Sequence, residues 1–342
     1  MIVDRRTLLA GLSAALVAPH VAHAQSVSDA AGRPVAVPNK VARVFAAGPP
    51  ASILLYTLAP DLLLGWTRRL NPAQCEFLGE GACDKPVLGR LTGRGNTTNL
   101  EVLLDLKPDL ILDVGTINDT YVSLANRVQQ QTGVPYALLD GRFAAVAPTY
   151  RKLGELTRRQ SAAEALARYA ERTIATVKAR IAAIPENQRP RVYYARGPRG
   201  LQTGLGGSIN VETIEFLGGR NVAGGRRGGM AIVSIEQVLA WNPDVIITIE
   251  PAFAAAVRTD PVWAPIKAVR TGRVYLSPTL PFGWVDFPPS VNRLIGLWWL
   301  AKALYPARFP DDLRPIARDF YRRFYHMDPT DAQIERVLAA AH

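Results

Sequence analysis

The chain has 342 residues, of which 48% are hydrophobic and 20% are charged, so it has the composition of a globular protein and the length for two domains of ordinary size. Its formal net charge is +11, but the arginines are scattered along the sequence and are not gathered on one element with aromatic residues between them. That distribution disfavours nucleic acid as a partner, and it leaves open an acidic ligand, an anionic membrane surface or a merely basic exterior.

The first 24 residues have the features of a cleaved export signal. They carry a twin arginine at Arg5 and Arg6, an apolar stretch over 7–17, and a small-x-small motif that ends at Ala24. The apolar stretch is too short to span a membrane. We therefore predict cleavage after Ala24 and a soluble monomer in the periplasm. The twin arginine favours export of folded protein, and ordinary secretion is the alternative.

The sequence contains two cysteines, Cys75 and Cys83, which are eight residues apart. In an oxidising compartment this spacing favours a disulfide that closes a small loop, and free thiols are the alternative. A metal site would need further ligands close by, which the neighbouring sequence does not supply. We predict no metal site and no cofactor.

A unit of thirteen residues occurs twice in the chain. LEVLLDLKPDLIL at 100–112 and IEQVLAWNPDVII at 235–247 share five identical positions, and five more exchange one apolar residue for another. Both copies have a cap residue (Asn99 or Ser234), apolar residues at helical spacing, a proline that ends the helix, and an apolar run typical of a buried parallel strand. We infer that the chain forms one α/β lobe twice.

Other segments correspond around the repeated unit. Strands are predicted at 42–50 and 133–140 in the first half and at 190–198 and 272–278 in the second. Because strands and helices alternate, both sheets should be parallel, with right-handed crossovers. Apolar residues at helical spacing over 160–184 predict one long helix between the halves. The predicted division is a signal peptide at 1–24, an N-terminal α/β lobe at 25–150, a connecting helix at 151–188, and a C-terminal α/β lobe with a helical tail at 189–342.

Two parallel-sheet lobes joined by one long helix, behind an export signal, resemble the class III substrate-binding proteins of ABC importers. The resemblance rests on the duplicated E-x-x-L-x-x-x-P-D unit, the connecting helix, FLGGRNVAG at 216–224 and AVRTGRVYLSP at 268–278. It implies a ligand cleft between the lobes, an inner-membrane permease and its ATPase as partners, and no enzymatic activity. Members of this family serve ferric siderophores, haem, vitamin B12 and, in some cases, molybdate or tungstate.

Ligands of parallel sheets bind at the carboxyl ends of the strands. The loops at those ends are 48–52, 66–69, 91–96, 115–118 and 140–143 in the first lobe, and 196–203, 225–230, 250–253 and 279–286 in the second. Their guanidinium groups suit an anionic ligand, and the candidates are Arg69, Arg94, Arg142, Arg196, Arg199 and Arg227. Trp66 and Trp284 are candidates for flat contact with a chelator, and burial in the core is equally consistent with both. Asp286 is a candidate for orienting an arginine, holding a cation or capping its loop.

These residues favour an anionic metal complex as the ligand, a ferric siderophore first. A bare oxyanion such as molybdate or tungstate is the alternative, and the aromatic residues favour the chelate. A metal-handling enzyme that uses Asp and Arg is the third hypothesis. Histidine is scarce, because only His326 and His342 follow the signal, and this disfavours triad hydrolases and zinc enzymes.

The resemblance also implies how the permease is contacted. In the resembled family, an acidic side chain on each lobe docks onto arginines of the permease. Glu212 and Glu215 are the candidates in the second lobe, and Asp61 is the candidate in the first. The first helix of the first lobe has Ile53 about where the family tends to have a glutamate, so the sequence departs from the family's symmetric docking pattern in this lobe.

Overall fold

The structure is a computed structural model that describes residues 25–93, 95 and 97–339. The predicted signal peptide and Arg94 lie outside the described residues. Among the helices of the described part, none has both the length and the apolar character that crossing a membrane requires.

The N-terminal lobe is a small parallel sheet covered by helices. Its elements are β1 (Gln25–Ser28), β2 (Pro34–Val37), β3 (Val44–Ala46), α1 (Pro49–Leu58), α2 (Pro72–Cys75), α3 (Leu100–Asp105), β4 (Leu110–Gly115), α4 (Asp119–Thr132), β5 (Tyr136–Asp140) and α5 (Val146–Thr157). Strand β4 lies between β3 and β5 and runs parallel to both, while β1 and β2 form an antiparallel hairpin. Residues 110–114 are all buried because packed elements cover both faces of the sheet.

Helix α6 (Gln160–Ala182) connects the two lobes, as its apolar stripe predicts. It packs along α5 and buries Leu166, Ala170 and Val177. The helix ends two residues before the predicted end, and Pro185 follows shortly after it. The connection between the lobes is therefore a packed helix and not an extended strand.

The C-terminal lobe repeats the arrangement of the first. Its elements are β6 (Arg191–Ala195), β7 (Gln202–Gly204), α7 (Glu212–Phe216), β8 (Arg220–Asn221), β9 (Met230–Ile232), α8 (Ile235–Trp241), β10 (Val245–Thr248), α9 (Pro251–Ala256), α10 (Lys267–Arg270) and β11 (Val274–Leu276). The parallel sheet has the order β11, β10, β6, β8. Asn99 and Ser234 accept hydrogen bonds from the first turns of α3 and α8. Both copies of the repeated unit thus form the predicted helix and strand, and the predicted fold class is confirmed.

Three helices complete the chain. They are α11 (Arg293–Leu304), α12 (Leu313–Tyr325) and α13 (Asp331–Ala339), and single turns of 3-10 helix occur at Ala82–Asp84, Phe143–Ala145 and Glu186–Gln188. The sequence grouped this tail with the C-terminal lobe, but the ring of Tyr321 lies 5.4 Å from that of Phe77, and the ring of Phe324 lies 6.1 Å from that of Tyr150. The aromatic face of α12 is therefore buried against the N-terminal lobe, so the tail ties the two lobes together.

Candidate ligand-binding site

A cavity of about 150 Å³ lies at the boundary between the lobes. The N-terminal lobe lines it with the first turn of α1, the segment 92–93, the end of β4 and the start of α4; the C-terminal lobe contributes Ile209 and Pro289. Three of the predicted loops, 48–52, 91–96 and 115–118, supply lining residues. This is the edge at which the parallel strands of the first lobe end, where the fold favours ligand binding.

Glycine is required at two positions beside the cavity. A Cβ atom at Gly48 would lie 2.5 Å from Oγ1 of Thr92, so glycine allows the start of α1 to approach that threonine closely. Gly93 has a φ of +96°, in the region that residues with a side chain rarely adopt. These two glycines fix the path of the backbone around the cavity.

The polar groups at the cavity include a few hydrogen-bond donors. Helices α1 and α4 both begin there, and the partial positive charge of a helix N-terminus favours an anion. The α1 residues that line the cavity, Pro49 and Pro50, have no N–H to donate, so α1 contributes this partial charge and no hydrogen bond from its first two residues. Thr116 and Tyr121 add hydroxyl groups to the lining. The backbone N–H groups of Gly93 and Thr116 meet no acceptor within the described part of the chain. None of the described arginines lines the cavity, so these donors are neutral groups.

A buried carboxyl group forms part of the same wall. Asp113, at 5% exposed, accepts hydrogen bonds from Thr92 Oγ1 at 2.9 Å, from the Val114 N–H at 2.9 Å and from the Tyr136 hydroxyl at 3.2 Å. Burial raises the pKa of Asp113, and the three hydrogen bonds oppose that rise. Sequence reasoning missed this residue. The available signal was one charged side chain within the apolar run of β4.

The arginines predicted to line the cleft do not converge on this cavity. Four of them are exposed: Arg69, Arg142, Arg199 and Arg227. Arg142 pairs with Asp140 at 2.5 Å. Arg68 lines a narrow crevice that shares Pro49 with the cavity. Partial burial, and secondarily the like charge of Arg90, lower the pKa of Arg68.

Arg196 is buried, and its charge is balanced inside the C-terminal lobe. Its Nη1 donates to Oδ2 of Asp286 at 3.0 Å, and its guanidinium lies 5.0 Å from the ring centre of Phe287. Asp286 is fully buried and also accepts from the Tyr194 hydroxyl at 2.7 Å, Asn210 Nδ2 at 2.8 Å and the Phe287 N–H at 2.7 Å. Asp286 therefore orients an arginine, one of the roles the sequence suggested, with four donors on its carboxylate.

The two candidate tryptophans lie in the core. Trp66 is 3% exposed, packs against Tyr56 and Phe282, and donates its indole N–H to the Ala82 carbonyl at 2.7 Å. Trp284 has no exposed surface and donates to the Leu280 carbonyl at 3.2 Å. Each indole has an internal acceptor and apolar neighbours, so both side chains serve packing and offer no face to the cavity.

The acidic residues considered for docking differ in their surroundings. Glu212 is half-buried and pairs with Arg293 at 2.9 Å. Glu215 is also half-buried and accepts a long hydrogen bond of 3.4 Å from Asn221. Asp61 is exposed on the surface, where it pairs with Arg159 at 2.8 Å.

Cys75 and Cys83 are joined by a disulfide, with their Cα atoms 5.9 Å apart. The bridge closes the loop that follows α2. Gln74, in α2, donates a buried hydrogen bond of 2.7 Å to the Pro281 carbonyl. Across the described residues, no group of three or more His, Cys, Asp and Glu side chains is arranged to hold a metal ion.

Comparisons with known proteins identify the family. The family model described as periplasmic binding protein matches residues 85–279. The molybdate-binding protein MolA of Haemophilus influenzae is 28% identical over 259 residues, which cover 69% of this chain and 72% of that protein. An ABC transporter solute-binding protein from Sulfurospirillum deleyianum has a similar structure, with a TM-score of 0.84 and 29% identity over 92% of this chain and 99% of that one. The molybdate-bound structure of MolA shares the fold with a TM-score of 0.72 and 23% identity, over 90% of this chain and 99% of that one. Since the family model covers more than half of the sequence, the chain belongs to the periplasmic binding protein family, as a substrate-binding protein of the ABC-importer type that the sequence resembles.

Proposed function

We propose that the protein binds a small tetrahedral oxyanion of the molybdate or tungstate class in the periplasm and delivers it to an ABC permease and its ATPase. The observation that carries this proposal is the size of the interlobe cavity, about 150 Å³. Sites for drug-sized ligands occupy roughly 300 to 1,000 Å³. A siderophore, haem or cobalamin would need the lobes to separate widely, whereas a single oxyanion needs no such rearrangement.

The lining of the cavity supports the same ligand class. The hydroxyls of Thr116 and Tyr121 and the backbone N–H groups of Gly93 and Thr116 can donate hydrogen bonds to oxygen, and the partial positive charges of two helix N-termini add to the attraction of an anion. The relationship to a protein named for molybdate binding agrees with this chemistry.

Sequence reasoning placed a ferric siderophore first, on the strength of aromatic residues and arginines at the cleft. Trp66 and Trp284 are in the core, and the charge of Arg196 is balanced by Asp286. The features that favoured a chelate over a bare oxyanion therefore no longer support it, and the ranking of the two ligands reverses.

Isothermal titration calorimetry tests the proposal. We expect molybdate and tungstate to bind in a one-to-one complex, and ferric chelates and cobalamin to show no binding. Each hydrogen bond to a charged ligand contributes about 1.5 to 3 kcal/mol, so Tyr121→Phe should weaken molybdate binding by roughly tenfold or more. The matched control is Tyr275→Phe, because Tyr275 lines a separate groove near the C-terminal helices. Binding of a ferric chelate or cobalamin without oxyanion binding would overturn the proposal.

Delivery requires contact with the permease. We propose Glu215 and Asp61 for this contact, and not Glu212, because Glu212 is committed to Arg293 inside the molecule. Charge reversal at Glu215 or Asp61 should reduce transport in reconstituted membranes while leaving ligand affinity unchanged. A variant that loses ligand affinity but keeps its transport activity would contradict this assignment.

A further inference from the structure

A buried ion pair lies where the lobes meet. Arg293, the first residue of α11, has 2% of its side chain exposed, and its Nη1 donates to Oε2 of Glu212 on α7 at 2.9 Å. The same guanidinium donates through Nη2 to the Gly141 carbonyl at 2.6 Å and through Nε to the Ser290 carbonyl at 3.1 Å. Gly141 belongs to the N-terminal lobe and Glu212 to the C-terminal lobe, so one side chain binds both.

Glu212 makes a second connection between the lobes. Its Oε2 also accepts the Phe143 N–H at 2.8 Å, and the guanidinium of Arg293 lies 5.6 Å from the centre of the Phe143 ring. We call these four residues, Arg293 and Glu212 with Gly141 and Phe143, the interlobe clasp. Both charged members of the clasp bind backbone of the N-terminal lobe directly.

The clasp adjoins both walls of the ligand cavity. The Gly141 N–H donates to the Gly115 carbonyl at 2.8 Å, and a Cβ atom at Gly141 would lie 2.8 Å from the Gly115 Cα, so these two backbones touch. Gly115 lines the cavity on the N-terminal side. On the other side, Arg293 reaches the carbonyl of Ile209 at 3.5 Å, and Ile209 is also a lining residue.

We infer that Arg293 and Glu212 are positioning residues, which fix the distance between the Gly115 wall and the Ile209 wall and thereby set the size of oxyanion that the cavity accepts. An apolar pair of similar volume would fill this boundary without the cost of burying the Arg293 charge. The arginine provides directed bonds to the backbone of both lobes, which an apolar pair would not. The inference rests on the proposed use of the cavity as the oxyanion site.

Two substitutions test the clasp. Arg293→Lys keeps the charge, but a single ammonium cannot reach the acceptors that the guanidinium fork reaches. Glu212→Gln keeps an acceptor for Phe143 N–H and removes the charge. We expect each variant to weaken molybdate binding by about tenfold or more and to narrow the preference for molybdate over the smaller sulfate ion. The control is Arg180→Lys, because Arg180 pairs with Asp311 on the tail, outside the cavity lining; its affinities should match those of the unaltered protein.

The spacing of the lobes provides a readout that does not depend on the ligand. Spin labels at Val102→Cys and Val262→Cys, two exposed positions on opposite lobes, report the interlobe distance by pulsed electron resonance. We expect a broader distance distribution in Glu212→Gln than in the labelled parent. This expectation holds even if the parent binds no oxyanion, a result that would refute the proposed function but not the positioning role. An unchanged distribution, or an equal loss of affinity for molybdate and sulfate, would overturn the positioning role.

Discussion

Replacing Asp286 with alanine tests whether the Arg196 cluster is structural. The change removes the acceptor of four hydrogen bonds at a position with no exposed surface, and it leaves Arg196, 8% exposed, without a carboxylate. Breaking a buried ion pair by removing one partner costs about 3 to 5 kcal/mol. We expect the free energy of unfolding to fall by that amount, because the arginine keeps its charge in a site that no longer compensates it.

Urea denaturation of the two single variants and the double variant separates the pair from its surroundings. In a double-mutant cycle, Arg196→Met should cost less when Asp286 is already alanine, with a coupling of roughly 1 kcal/mol or more. The control is Glu171→Gln, which removes an exposed ion pair between Glu171 on α6 and Arg151 on α5 and should give no resolvable change in stability. A variant Asp286→Ala that keeps its stability but loses molybdate binding would refute the reasoning, since Asp286 would then be a ligand contact.

Three further outcomes are expected. Intact-mass analysis of exported protein should give a chain that begins at Gln25, and a mass that retains the first 24 residues would contradict cleavage after Ala24. Reduction of the Cys75–Cys83 bridge should lower the free energy of unfolding by about 2.5 kcal/mol, as expected for so short a loop; two thiols that titrate without reductant would refute the bridge. Molybdate affinity should rise as the pH falls towards the raised pKa of Asp113, because the protonated carboxyl no longer repels the anion. Asp113→Asn should bind more tightly near neutral pH and lose this dependence, and an unaltered pH profile in that variant would count against the assignment.

The fold could be predicted because its signals are local and repeated. Asn99 and Ser234 each cap a helix, and Pro108 and Pro243 each separate that helix from the buried strand that follows. Capping, helix termination and apolar runs depend on neighbouring residues, so they can be recognised without knowledge of the tertiary structure. The helix predicted from the apolar stripe over 160–184 spans Gln160–Ala182, and residues 151–157, assigned with it to the connection, belong to α5.

The tail and the site depended on contacts that sequence spacing does not reveal. The aromatic face of α12 is evident from its periodicity, but only the folded chain shows that Phe324 packs near Tyr150 of the other lobe. Arg196 and Asp286 are separated by 90 positions, and Arg293 and Glu212 by 81. Sequence reasoning predicted nine loops at the cleft, and three of them, 48–52, 91–96 and 115–118, line the cavity, while none of the four from the second lobe does. It could not identify which of their arginines already have a carboxylate partner.

Under the proposed function, the exposed arginines attract the anion and the neutral donors of the cavity recognise it. The net charge of +11 and the exposed arginines attract anions over distances that salt screens, so the association rate should fall with ionic strength. Inside the cavity, the described donors are neutral backbone and hydroxyl groups held at fixed positions, which act over a few ångströms and are screened little. The dissociation rate should therefore change little with salt. Fixed neutral donors also distinguish ligands by size and shape more than by charge alone, and for that reason the spacing set by Arg293 and Glu212 matters more for selectivity than the number of arginines around the cleft.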